Sequence, residues 1–210
     1  VMQDLIDVLV KTNKQKSFEV AKNLKELKQD AKTYDFVIRK ANLDIVDAKK
    51  IAEAIKKIDL NDGPKLHTIS MSFNDNLKDE GVIAILNQIP KETSVIAFVE
   101  CGITDKAGEA IIEWANLKEV KNLNGIYIEG NSFSKEMEQK FDQLRANNPN
   151  LTVLSEWASE RFKEMVKNIF QDDFLFVIKG GSYLEIFILS AKELQQLFYD
   201  AIDSGPEEAT

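Results

Sequence analysis

Among the residues able to do chemistry, the thiol and the imidazole come first, because the chain has one of each: Cys101 and His67. A thiolate–imidazole pair would need both at one site. They stand in different copies of a repeated pattern, so no such pair is expected and Cys101 is expected to be a buried, inert core residue. Asp79-Glu80 and Asp172-Asp173 are adjacent acids of the kind used in general acid–base work. Both pairs fall at expected turns or helix starts, where carboxylates satisfy free amides and the helix dipole. Gly180-Gly181 lacks the spacing of a phosphate-binding loop. No nucleophile elbow, zinc motif or nucleotide fingerprint is present. The expectation is no catalytic residue, no metal ligand, no cofactor and no enzymatic activity.

The elements that position these residues follow one repeated pattern. Leu66, Ile69, Met71, Asn74 and Leu77 form one copy; Thr93, Ile96, Phe98, Cys101 and Ile103 a second; Leu123, Ile126, Ile128, Asn131 and Phe133 a third. A weaker copy has Phe36, Ile38, Ala41 and Leu43, and Leu151–Leu154 opens another at the same phase. Apolar residues two apart give a short strand with one inward side. The Asn or Cys slot marks the bend after the strand, where Asn offers both a donor and an acceptor to turned-in backbone. Each copy then leads into helical spacing: Ile51, Ala54, Ile55 and Ile58; Val82, Ile85, Leu86 and Ile89; Ala107, Ile111 and Trp114; Met137, Phe141 and Leu144. Asp47, Asp79, Asp105 and Ser134 are the expected caps.

These units resemble leucine-rich repeats of the ribonuclease-inhibitor type, as in Ran GTPase-activating proteins, tropomodulins and bacterial effectors. The phrases Asn74–Gly81, Gly102–Gly108, Gly130–Phe133 and Leu144–Leu151 carry the resemblance. It implies an α/β fold: a short curved solenoid, parallel strands on the concave face and helices on the convex one. The spacing of the copies is irregular, which departs from a regular solenoid. The domain reading is a helical cap at 1–32, repeats at 33–154, and a C-terminal cap at 155–210. The last holds a helix at Trp157–Ile169, strands at Phe174–Ile178 and Tyr183–Leu189 about the Gly-Gly turn, and a helix near Ala191–Ile202.

Composition narrows the partners. The formal net charge is -8, and residues 66–210 carry 13 Lys/Arg against 24 Asp/Glu. That disfavours nucleic acid or an anionic membrane as ligand. One cysteine excludes an intrachain disulfide framework. No long apolar run suggests a membrane span, and residues 1–4 do not open a signal peptide.

The expected function is therefore a protein–protein interaction module of unidentified partner, acting through the strand face turned away from the helices. The residues assigned to that face are Asp35, Val37 and Arg39; Ser70 and Ser72; Ala97 and Val99; Tyr127 and Glu129, with Tyr127 as anchor and Arg39 and Glu129 nearer the rim. The resemblance also implies a possible bacterial effector, and two alternatives: a regulator of a GTPase, or a structural fragment of a larger protein. A cytoplasmic location is expected, or secretion into a host cell for an effector.

Overall fold

The computed structural model describes residues 2–157, 175–179 and 185–189. Two helices, α1 (Gln3–Lys11) and α2 (Gln15–Lys25), precede a strand–helix alternation: β1 (Thr33–Val37), α3 (Ile45–Leu60), β2 (Lys65–Ser70), α4 (Lys78–Leu86), β3 (Val95–Ala97), α5 (Asp105–Ala115), β4 (Gly125–Tyr127), α6 (Lys135–Asn147) and β5 (Thr152–Leu154). All five strands pair in parallel, in the order β1-β2-β3-β4-β5.

This architecture corrects the expected leucine-rich-repeat solenoid of the ribonuclease-inhibitor type. The strands form a single five-stranded parallel sheet flanked by helices, a Rossmann-like α/β arrangement. Its strand order runs in sequence without reversal, so it lacks the switch-point crevice where doubly wound sheets hold ligands. A regular solenoid accumulates curvature from equal units. Here the helices of successive units are 16, 9, 11 and 13 residues long. The effector reading, which came only from that resemblance, falls with it.

The chain divides into two compact units, Val1–Ser155 and Glu156–Thr210. In the first, alternation sends Phe36, Ile69, Ile96 and Ile126 into the core, each fully buried, with Val153 almost so. Ile38, Met71, Phe98 and Ile128, just beyond the strands, are fully buried too. Helices α3 to α6 pack against one another in sequence order, and α1 packs on α2 and α3. Leu5, Ile6 and Leu9 of α1 bury one face there.

The bend after each strand is held by side-chain hydrogen bonds. Asn74 Oδ1 accepts from the amides of Ala41 and Leu43, both at 3.0 Å, while its Nδ2 donates to Ile38 O at 2.9 Å and Met71 O at 2.8 Å. Asn131 repeats this with Cys101 N, Ile103 N, Phe98 O and Ile128 O. The residue before each slot is left-handed: Lys40, Phe73, Glu100 and Gly130, with φ of 50°, 62°, 47° and 72°.

Helix capping differs from expectation. Asp44, not Asp47, caps α3, with Asp47 completing a capping box. Asp79 and Asp105 do not cap their own helices. Asp79 accepts from Thr104 N, Thr104 Oγ1 and Ala107 N at the start of α5. Asp105 accepts from Ser134 N and Ser134 Oγ at the start of α6. Only Ser134 caps its own helix as expected, taking the Met137 amide at 3.1 Å.

In the second unit, β6 (Leu175–Lys179) and β7 (Glu185–Leu189) pair antiparallel, matching the two expected strands. The Gly-Gly turn, Asp172-Asp173 and the expected helices beyond Trp157 and near Ala191–Ile202 lie outside the described residues.

Candidate protein-binding face

The sheet register places Val37, Ser70, Ala97, Tyr127 and Leu154 side by side in one row across all five strands. Core residues alternate with them, so the row lies on the sheet face away from the helices. A second row holds Asp35, Thr68, Val95, Gly125 and Thr152. Backbone bonds from Lys40 N to Ser72 O, Phe73 N to Val99 O and Glu100 N to Glu129 O continue the register beyond the strands. A third row then contains Arg39, Ser72, Val99 and Glu129.

All nine assigned residues therefore fall on one side of the sheet, but not all are accessible. Val37 is 40% exposed, Asp35 is exposed, and Arg39 and Tyr127 are half-buried. Ser70, Ser72, Ala97, Val99 and Glu129 are buried. Period-two spacing fixes the side of a strand, whereas exposure depends on neighbours about 4.8 Å away on either side. Short side chains such as Ser70 and Ala97 sit below them. Ser72 has a structural task as well: its Oγ accepts from Val99 N at 3.0 Å. The expected rim position of Glu129 is corrected, since only 6% of it is exposed.

Tyr127 owes its pose to Gly125. A Cβ at Gly125 would lie 2.8 Å from Cε2 and 3.4 Å from Cζ of the Tyr127 ring. The ring thus leans back along its own strand over a residue without a side chain, one strand in from the Leu154 end of the row. Leu154, 39% exposed, extends the row in a direction the sequence reading left out. The sequence phase, which matched Leu151 and Leu154 with Leu123 and Ile126, is off by one residue: Ile126 pairs with Val153, and Leu154 stands beside Tyr127 instead of in the core.

Charged groups frame the face. Arg39 Nε donates to Ser70 Oγ at 3.3 Å. A bulge inserts His67 between the register pairs Tyr34–Leu66 and Asp35–Thr68. His67 Nδ1 then lies 3.2 Å from Asp35 Oδ1 and 3.0 Å from Thr68 Oγ1. The spacing from Leu66 to Ile69 equals that from Leu123 to Ile126, so the repeat pattern carries no signal for that bulge. Glu129 Oε1 is buried without a hydrogen-bond partner. Burial pushes its carboxyl up from 4.5 to about 7, against the pull of nearby backbone amides.

Cys101 is fully buried, and its Sγ donates to Met71 O at 3.3 Å and Val99 O at 3.5 Å. Burial pushes the thiol up to about 12, so thiolate is scarce at neutral pH. Among the described residues, no group of three or more His, Cys, Asp and Glu could hold a metal ion. No described helix is long and apolar enough to cross a membrane. No protein-family model matches the chain, and no curated protein matches its sequence.

Proposed function

We propose that this chain acts by binding another protein across the helix-free face of its sheet. The observation that carries the reading is the in-register row Val37, Ser70, Ala97, Tyr127 and Leu154. It offers an uncharged strip with exposed aliphatic ends and an aromatic ring beside the Leu154 end. Four inter-strand steps make it about 19 Å long. Tyrosine supplies large contact area with few rotatable bonds and a hydroxyl that pairs with partner polar groups. Asp35 and Arg39 at one end give a polar rim, the usual surround of an apolar contact strip.

The test places a photo-cross-linking residue at position 127 and, separately, at position 50 on helix α3. The protein captured through position 127 is then purified and titrated against three variants. Tyr127→Ala should weaken binding by about tenfold or more, with little change in thermal midpoint because Ile126 and Ile128 carry the core. Gly125→Ala should weaken it too, since the new Cβ displaces the Tyr127 ring. Lys50→Ala should bind like the parent. Equal affinity for Tyr127→Ala and Lys50→Ala would remove this reading.

A further inference from the structure

We draw no further inference here: the strongest candidate, the cleft lined by Met2, Ile6 and Leu24 between α1, the end of α2 and the turn after α3, carries nothing because Lys25, Lys28 and Lys32 share it with Asp30 and Asp62 and nothing in the structure shows what covers it.

Discussion

Glu129 gives the sharpest quantitative test of how this sheet is built. Its carboxyl is 6% exposed, Oε1 has no hydrogen-bond partner, and burial raises its pKa from 4.5 to about 7. In the unfolded chain the same group titrates near its ordinary value. A raised pKa means that the folded state holds the proton more tightly. Below about pH 4.5 the group is neutral in both states and costs nothing. As pH rises from there to about 7 the unfolded chain ionises first, and the fold loses stability progressively. Above about 7 the loss is complete, and a shift of this size corresponds to about 3 kcal/mol.

Glu129→Gln keeps the shape and removes the ionisation. Urea unfolding of both proteins at a series of pH values gives the difference directly, because titrations shared by the two cancel. The variant should gain on the parent between about pH 4.5 and 7 and hold an advantage of about 3 kcal/mol at pH 8. An advantage already complete at pH 4, or one that stays flat with pH, would show that the carboxylate is not desolvated. The account of the third row would then be wrong.

Other outcomes follow from the hydrogen bonds at the bends and helix starts. Asn74→Ala strands four buried backbone groups, those of Ala41, Leu43, Ile38 and Met71, and should cost roughly 3–6 kcal/mol in chemical denaturation. Asn131→Ala should cost less, since that side chain is only half-buried. Cys101 should react slowly with a thiol reagent in the native protein and rapidly in urea; fast native labelling would contradict its burial. Asp105 is held below its ordinary pKa by the Ser134 hydroxyl and amide. Its contribution is present above the ordinary carboxylate value and lost as pH falls through the depressed one, so the deficit of Asp105→Asn in melting temperature should be largest near neutrality and vanish in acid.

Strand phase was legible in β1 to β4 because one side of each is apolar. Phe36, Ile69, Ile96 and Ile126 could not face water, and their alternation fixed Val37, Ser70, Ala97 and Tyr127 on the other side. The role of Asn74 and Asn131 was equally legible, since a buried amide after a strand must satisfy turned-in backbone. The overall architecture was not. A solenoid and an open parallel α/β layer share the same strand–helix alternation, and what separates them is rotation accumulated between units, which no single unit encodes. Exposure on the helix-free face was hidden for a related reason: Glu129 reads as a surface residue from its own strand, and its burial comes from its surroundings.

The misplaced caps show what local reading leaves out. Asp79 and Asp105 each begin a helix, and an acid there is sufficient to satisfy that helix's own amides. In the fold each reaches the next helix start, at Thr104 and Ser134. Ion pairs run the same way along the outer layer: Lys49 of α3 with Glu80 of α4 at 2.6 Å, and Lys140 of α6 with Glu109 of α5. The helices are therefore tied by groups that act only between neighbours, while the strands are tied by their backbone ladder. An exposed ion pair contributes little, but the carboxylate at a neighbour's amides does not depend on long side chains being held in place. Loosening α4 frees the start of α5, and loosening α5 frees the start of α6, so neighbouring helices are coupled at these two starts. That coupling runs along the helix layer in the same direction as the ladder that joins the strands.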